Sequence, residues 1–400
     1  MKRFPGMAAV LVAAGCAAGA AGGREEALRP ERAAGVDRTP APVLVGVVVP
    51  RSGSAYLERY GGLVLEGVEL AIQGRDAGAG APVALEVVDG GGDPERAAAA
   101  VQELERRGAV AVIGPVLPAA FEAAVRARTD PGLVLIDPLG SEPVAAPDAY
   151  ALNAPDVLGA EALARYAARQ GWLRVGMLYP RTGEHRDQAR AFAAALEAAG
   201  GRIVAEVPYD SGTTTFATHL KAIEEHAPQA IFVPAPERDV HQIAPQITYY
   251  GLAGAGVHVL GGDGWTGESV RREVAARYLD GVVTTTPLPR SSDAVGWNDF
   301  VARYEEAYRR SLGHPFPALG YDAMQLILAA LDAGGRRPGD LAAAFREIRG
   351  LRGATGVLSV RQGRIVRRPF PMRYEQGELV PVTWPDEDAP PAPDGGWRNR

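Results

Sequence analysis

Short apolar runs alternate with amphipathic segments along most of this chain. Such runs are typical of strands that are buried on both faces of a sheet. The segment Gly62–Ile72, between the first two apolar runs, has a helical period. The segment Pro94–Arg107 also has a helical pattern, with Asp93 placed as its N-cap. This alternation of strand and helix predicts an α/β fold with a parallel sheet. The first half contains four of the apolar runs: Val43–Val49, Val83–Val88, Ala109–Ile113 and Leu133–Ile136.

The same order of segments recurs in the second half of the chain. VGVVVPRSG at Val45–Gly53 is echoed by VGMLYPRTG at Val175–Gly183, with Val, Gly, Pro, Arg and Gly in matching places. Two further pairs of segments follow in the same order, the last being GLVLIDPLG and GVHVLGGDG. Three pairs of similar segments in the same order predict two lobes that share the same topology.

The residues after the second lobe are too few for a third domain, so we expect them to complete the first two. We assign residues 43–153 and 287–350 to the first lobe, and residues 154–286 and 351–383 to the second. The predicted elements are a strand at Gly281–Thr286, helices at Trp297–Ser311, Ala318–Ala333 and Asp340–Ile348, and strands near Gly356–Arg361 and Pro371–Tyr374.

The chain begins with the features of a secretion signal. Lys2 and Arg3 precede an apolar run, Met7–Ala14, that is too short for a permanent membrane span. Cys16 is the only cysteine, and the Ala-Ala-Gly-Cys that it ends resembles the lipobox of bacterial lipoproteins, whose cysteine receives a diacylglycerol. We therefore predict a signal peptide at residues 1–15 and an exported, periplasmic or cell-surface lipoprotein anchored to a membrane by Cys16. An ordinary cleaved signal with an incidental cysteine is the alternative.

Charge and composition argue against some kinds of partner and cofactor. The chain carries 42 Lys and Arg against 48 Asp and Glu, a net charge of −6, which argues against a nucleic-acid partner. The six histidines have no metal-ligating spacing, so we expect neither a metal nor another cofactor. Residues 16–42 are rich in Ala, Gly, Arg and Pro and are predicted to be a flexible linker, and the Pro- and Asp-rich residues 384–400 a disordered tail.

The predicted sheets also indicate where a ligand would bind. In open parallel sheets, ligands bind outside the carboxyl ends of the strands, and a cleft between two lobes is a frequent site for a small solute. From the loops at these ends we select Ser52, Leu117, Tyr179 and Trp265 as candidate contacts, with Trp265 as a wall of the cleft. The six loops are Pro50–Tyr60, Gly114–Ala119, Pro138–Ser141, Tyr179–His185, Pro234–Arg238 and Gly261–Trp265.

A series of segments resembles the type I periplasmic solute-binding proteins of the leucine/isoleucine/valine-binding class. The resemblance implies two Rossmann-like parallel-sheet lobes joined by a three-strand hinge, a Venus-flytrap arrangement that closes on its ligand. It implies no catalysis, and delivery of the ligand to an ABC permease, or sensing. The matching segments are GVVVPRSG at Gly46–Gly53, VVDGGGDPERAAAAVQEL at Val87–Leu104, VIGP at Val112–Pro115, IDPLGSEP at Ile136–Pro143, YDAMQLILAAL at Tyr321–Leu331 and LRGATGVLSV at Leu351–Val360.

The resemblance implies ligand contacts at three matching positions. Tyr60 sits where the family often places an aromatic ring against the ligand. Ser141 sits where a hydroxyl bonds an amino-acid head group, and Asp263 where an acidic side chain meets the ligand ammonium. A hydroxyl and a carboxylate suit these tasks chemically.

Other positions depart from the family's pattern. Pro118 replaces a serine, so one head-group donor is lost. Glu184, with His185, stands where the family has Tyr-Gly, and Glu237 follows Pro236 where aromatic residues are common. The two additional acids, Glu184 and Glu237, favour a cationic or polyamine-like ligand over a plain α-amino acid.

Two other functions remain open. GDGWTG at Gly262–Gly267 matches the dinucleotide pattern G-x-G-x-x-G, as in a nicotinamide enzyme, but a lone match is weak, and we interpret it as a solute-contact loop. The segment Pro228–Leu252 also resembles the lipoprotein activators of penicillin-binding proteins. An envelope regulator that contacts a peptidoglycan synthase is therefore the main alternative to a receptor for a small-molecule solute.

Overall fold

The structure, a computed structural model, describes residues 41–75, 82–141, 144–153, 157–250, 252, 254, 256–286 and 295–382. The predicted signal peptide, Cys16, the linker up to residue 40 and the tail at 384–400 lie outside the described residues. Within the described ranges the chain forms fifteen strands: β1 (Val43–Val49), β2 (Val83–Asp89), β3 (Ala111–Ile113), β4 (Val134–Asp137), β5 (Ala149–Ala151), β6 (Arg174–Pro180), β7 (Arg202–Tyr209), β8 (Ala230–Val233), β9 (His258–Gly261), β10 (Val283–Thr286), β11 (Leu351–Gly353), β12 (Gly356–Arg361), β13 (Arg364–Arg367), β14 (Phe370–Glu375) and β15 (Glu378–Pro381).

Eleven α-helices connect these strands in the same ranges. Two short 3₁₀ helices, Asp263–Thr266 and Ala276–Tyr278, follow β9. The α-helices are α1 (Ala55–Gln73), α2 (Pro94–Arg106), α3 (Pro118–Ala127), α4 (Val157–Arg169), α5 (Glu184–Ala198), α6 (Ala217–Glu224), α7 (Glu237–Tyr249), α8 (Glu268–Glu273), α9 (Val295–Tyr308), α10 (Phe316–Asp332) and α11 (Pro338–Arg346).

The two large sheets share one strand order, which confirms the predicted repeat. The first sheet has the order β2-β1-β3-β4-β5, and its pairs are all parallel. The parallel part of the second sheet has the corresponding order β7-β6-β8-β9-β10. Helices cover both faces of each sheet: α1, α10 and α11 pack on one face of the first sheet and α2 and α3 on the other. The chain thus has the predicted α/β fold with two parallel-sheet lobes.

The ends of the elements follow local chemistry. As predicted, Asp93 caps α2, and its carboxylate accepts a hydrogen bond from the Arg96 N–H at 2.8 Å. In contrast, α1 begins at Ala55, well before the predicted Gly62, because the Ser54 hydroxyl accepts a hydrogen bond from the Leu57 N–H at 3.3 Å. The first turns of α1 are mostly exposed and therefore lack the apolar period that marks a buried helix face.

The assignment of residues 351–383 to the second lobe is corrected in its first part. The antiparallel sheet of β11, β12 and β13 contributes Leu358, Val360 and Ile365 to the core that contains α10 and α11 of the first lobe. Only β14 and β15 join the second sheet, where β14 pairs with β10. In its described part the chain therefore passes between the lobes after β5, after β10, and between β13 and β14.

None of the helices in the described ranges combines the length and the hydrophobicity that crossing a bilayer requires.

Candidate functional site

A cavity of about 1020 Å³ opens at the carboxyl ends of the parallel strands of the second sheet. Among the described residues of the first lobe, Ser141, in the loop after β4, lines it. The second lobe contributes the loop after β6 with the start of α5, the start of α7, and parts of α8. The cavity therefore lies where strand-end loops of both lobes meet, at the edge where open parallel sheets bind ligands.

Three of the candidate ligand residues line this cavity: Ser141, Glu184 and Glu237. Glu184 is the first residue of α5, which follows Gly183. Gly183 has a φ of 86°, in the left-handed region that favours glycine, and it supplies no side-chain cap to the helix. The turn thus leaves the start of α5 facing the cavity.

Glu237 is engaged by the start of α8. Its Oε1 accepts hydrogen bonds from the N–H of Ser269 at 2.7 Å and from the Ser269 hydroxyl at 2.5 Å. Burial opposes ionisation of this carboxyl, but the hydrogen bonds from Ser269 and from the Val270 N–H keep the pKa of Glu237 below its usual value. Glu237 is therefore ionised at neutral pH, and it fixes α8 to the start of α7.

His185 lies between two candidate carboxylates. It is buried, with its Nδ1 3.8 Å from Glu184 Oε1 and its Nε2 3.7 Å from Asp263 Oδ1. Asp263 itself does not line the cavity, and its Oδ1 accepts a hydrogen bond from the Gly264 N–H at 2.9 Å. His185 thus connects the predicted Asp263 to the cavity wall.

Gln188 lies one turn further along α5 and is 1% exposed. Neither its amide nitrogen nor its amide oxygen has a hydrogen-bond partner among the described residues. Its Oε1 lies against Gly262, since a Cβ at that position would be 2.8 Å away from it. A buried amide without partners is costly, so this group stands out beside the strand ends that bear the cavity.

The prediction that Trp265 forms a wall of the cleft is wrong. Its side chain is fully buried in the core of the second lobe, and its Nε1 donates a hydrogen bond to the Val233 carbonyl oxygen at 2.8 Å. After β9 the chain turns into a 3₁₀ helix, which directs the indole away from the strand end and into the core. Trp265 therefore stabilises the lobe and forms no wall of the cavity.

Tyr179 is also a core side chain in this structure. It is 7% exposed, and its hydroxyl donates a hydrogen bond to Glu206. Burial, together with this carboxylate partner, raises the pKa of Tyr179 to about 12. The hydroxyl is thus occupied within the second lobe.

The other first-lobe candidates lie outside the cavity lining. Ser52 accepts a hydrogen bond from Arg96 Nη1 at 3.1 Å, and Leu117 packs against the core at the start of α3. The Tyr60 ring packs against Tyr56, with ring centroids 4.0 Å apart, and edge-on against Phe316 at 4.7 Å. Because these residues follow β1 and β3, they occupy the same edge of the first sheet as Ser141.

Sequence reasoning missed several lining residues at the start of α7. Arg238, Asp239 and His241 lie there, and Glu273 reaches the cavity from α8. Asp239 accepts a hydrogen bond from the Tyr209 hydroxyl at 2.9 Å. The spacing of four residues between Glu237 and His241 was the available signal, since such residues share one face of a helix.

The GDGWTG segment serves packing within the second lobe. A Cβ at Gly264 would lie 2.1 Å from the carbonyl oxygen of Ala235, so only glycine permits this approach of the 3₁₀ helix to the loop before α7. The resemblance to a dinucleotide fingerprint thus has a structural explanation, and the interpretation as a nicotinamide site has no support in this geometry.

Comparisons with known proteins agree with this architecture. "Leu/Ile/Val-binding protein homolog 6" of Brucella suis is 29% identical over 196 residues, which are 47% of this chain and 48% of that protein. The aligned region thus spans about half the length of this curated relative.

Solved structures resemble the chain over a larger share. The structure of a putative branched-chain amino acid ABC transporter from Rhodospirillum rubrum has a TM-score of 0.69 at 22% identity, covering 85% of this chain and 100% of that one. The branched-chain amino acid transporter substrate binding protein LivJ from Streptococcus pneumoniae, in complex with isoleucine, has a TM-score of 0.54 at 21% identity, with coverages of 84% and 97%. At these identities the likeness shows the fold.

The family comparison extends over most of the sequence. The family model described as "Periplasmic binding protein" matches residues 42–377. This range contains β1 to β14 and every described residue that lines the cavity. The chain therefore belongs to the periplasmic binding protein family.

Proposed function

We propose that this protein is an extracytoplasmic solute receptor, which captures a small polar ligand between its lobes for import by an ABC permease or for sensing. The observation that carries the proposal is the cavity at the strand ends, to which both lobes contribute. The family and the resemblance to transporter binding proteins support the same function. No catalytic step is needed for it, and we propose that the protein is not an enzyme.

The mechanism follows from the two lobes and their three connections. A ligand that contacts Ser141 on one side and Glu184 on the other gains its full set of contacts only when the lobes are close together. Such a ligand shifts the population toward the closed arrangement by the difference in its affinity for the two states. The permease then recognises the closed, loaded receptor.

The membrane anchor is a proposal from the sequence. Lipidation at Cys16 would hold the receptor at the extracytoplasmic face of a membrane, and several acyl chains give a firm attachment. Replacing Cys16 by serine should move the protein from the membrane fraction to the soluble fraction. Equal membrane fractions for both forms would exclude this anchor.

A thermal-shift screen of the full chain tests the receptor function. The panel contains branched-chain and basic amino acids, amides, polyamines, benzoate, short peptides and muropeptide fragments. A ligand at a hundredfold excess over its Kd should stabilise the protein by about 2.7 kcal/mol. A shift with a small solute supports the receptor, whereas a folded protein that responds to no small solute contradicts it.

One observation favours the envelope regulator as a second candidate. Tyr249 is 80% exposed and Tyr250 37% exposed, and both lie in the segment that resembles activators of penicillin-binding proteins. Exposed aromatic residues are frequent in protein interfaces. A pull-down from envelope extract that recovers a peptidoglycan synthase, with recovery lost in a Tyr249→Ser variant, would favour this candidate over the receptor.

A further inference from the structure

We infer that the solute of this cavity is a small organic cation, whose ammonium or guanidinium groups are held by the carboxylates of α5, α7 and α8. The inference rests on the proposed function and names the ligand class for the same site. The shared chemistry is a ligand with more positive than negative charges, such as a basic amino acid or a diamine.

The charges on the cavity wall are mostly negative. Four carboxylates line it, and Arg238 is the one Lys or Arg in the described lining. The Arg238 guanidinium is already paired, since its Nε lies 3.3 Å from Asp239 Oδ1. Counting the histidines as neutral, the lining side chains carry three more negative than positive charges. The four carboxylates are Glu184, Glu237, Asp239 and Glu273.

Two helix N-termini oppose this charge, but only in part. Neither α5 nor α7 has a side-chain cap, so their first N–H groups face the cavity side. Each helix start carries roughly half a positive charge, which together offsets about one carboxylate. Glu273 is also paired with Arg272, whose Nη2 lies 2.9 Å from its Oε1, so an excess of about one negative charge remains. A zwitterion could place its carboxylate at a helix start, but this excess favours a ligand with at least one further cationic group.

A buried polar side chain lies behind the cavity wall. Gln188, buried on α5 one turn beyond Glu184, has an amide oxygen and an amide nitrogen without partners among the described residues. Gln188 does not line the cavity, so a ligand ammonium would reach this oxygen only through a water molecule. The adjacent His185 links Gln188's helix to Asp263, which adds a carboxylate behind the cavity wall.

The first lobe supplies surfaces that also suit a cation. Tyr56 is 62% exposed and packs against Tyr60, at the start of α1 and on the same sheet edge as Ser141. In the first sheet β1 and β4 are separated by β3 alone, which places the carboxyl ends of these two strands about 10 Å apart. Aromatic faces attract organic cations within about 6 Å. Closure of the lobes would bring this aromatic pair toward the carboxylates.

Isothermal titration calorimetry on the full chain tests the inference. The cationic probes are L-arginine, L-lysine, agmatine and cadaverine, the neutral side chain is represented by L-leucine, and the anions by benzoate and L-glutamate. Binding of at least one cation, with affinity that falls as salt rises, is expected. Binding of L-lysine but not of cadaverine would indicate that the ligand is a basic amino acid. Binding of cadaverine but not of L-lysine would indicate a diamine.

A pair of matched variants locates the binding to the cavity. Glu184→Gln removes one lining carboxylate and should weaken cation binding by about tenfold, which corresponds to about 1.4 kcal/mol. Glu197→Gln makes the same change in the last turn of α5, where the residue is exposed and does not line the cavity, and should leave the affinity unchanged. If Glu184→Gln does not fold, Glu273→Gln provides the same test from α8.

The outcomes separate the inference from the receptor function. Binding of L-leucine, benzoate or L-glutamate without any cation would overturn the inference and leave the receptor function standing. Cation binding that is equally affected by Glu184→Gln and Glu197→Gln would also overturn it. A folded protein that binds none of the probes, and none of the solutes in the thermal-shift panel, would overturn both.

Discussion

Asp137 shows how the end of a strand controls a single side chain. This last residue of β4 is 2% exposed, and its Oδ1 accepts a hydrogen bond from the Leu139 N–H at 2.9 Å. Burial raises the pKa of Asp137 to about 7, against the opposing effect of hydrogen bonds from the Leu139 and Gly140 N–H groups. The carboxyl therefore supports the turn that leads to Ser141, and it does so while changing charge near neutral pH.

Asp137 should make the protein more stable in acid than at neutral pH. Its native pKa of about 7 lies above the unfolded value of about 3.9, so the native state binds the extra proton between these values. The stabilisation is complete below the unfolded pKa and is lost as pH rises through 7, with a slope of up to about 1.4 kcal/mol per pH unit. Urea unfolding of wild type and Asp137→Asn between pH 4.5 and 8 measures the difference.

Asp137→Asn keeps an acceptor for Leu139 and should lack this contribution to the slope, so it should be at least as stable as the wild type at pH 8. Asp299→Asn, at an exposed position on α9, serves as the control and should follow the wild type. A wild-type slope in Asp137→Asn would show that this carboxyl does not titrate as described.

At the scale of elements, a polar cluster joins the small sheet to the first lobe. Asp322 of α10 is fully buried and accepts hydrogen bonds from the N–H groups of Ala354 and Thr355, in the turn between β11 and β12. Arg367, at the end of β13, donates to Thr355 Oγ1 at 2.9 Å and to the Leu152 carbonyl oxygen at 2.7 Å. The cluster thus connects α10, the small sheet and the end of β5, where two of the connections between the lobes begin.

Asp322→Asn should destabilise the protein by roughly 3 kcal/mol. The amide replaces one acceptor oxygen by a donor, which leaves a buried N–H of the turn without a partner. Asp332→Asn, in the same helix, removes an ion pair with Arg75 whose carboxylate is half exposed, and should cost less than about 1 kcal/mol. Equal losses in chemical unfolding would contradict the structural role assigned to Asp322.

The same cluster explains a limit of the sequence analysis. Apolar runs and helical periods predicted most of the parallel strands and the helices α1, α2, α9, α10 and α11, because these patterns report burial directly. They do not report which lobe a short antiparallel strand joins. The choice for β11–β13 depends on buried polar contacts such as Asp322 with Thr355, which are far apart in sequence. Residues 351–367 were therefore placed in the wrong lobe.

At the scale of the whole molecule, the sequence predicted the edge at which the cavity lies better than the side chains that line it. Comparison with the family's pattern at the strand-end loops indicated Ser141, Glu184 and Glu237, all of which line the cavity. The direction of a side chain within a loop depends on local backbone turns, and the 3₁₀ helix after β9 directs Trp265 into the core. The unpartnered amide of Gln188 has no sequence signal, because its burial depends on the packing of α5 against Gly262.

Calorimetry with variants in each lobe tests most directly whether one ligand is held by both lobes. The solute that binds tightest in the panel is titrated into wild type, Ser141→Ala, Glu184→Gln and the double variant, with Ser311→Ala and Glu197→Gln as exposed controls. Both single variants should weaken binding about five- to tenfold, corresponding to about 1–1.4 kcal/mol, while the controls bind like the wild type. Loss of affinity from changes in one lobe only, or in neither, would contradict a ligand that bridges the lobes.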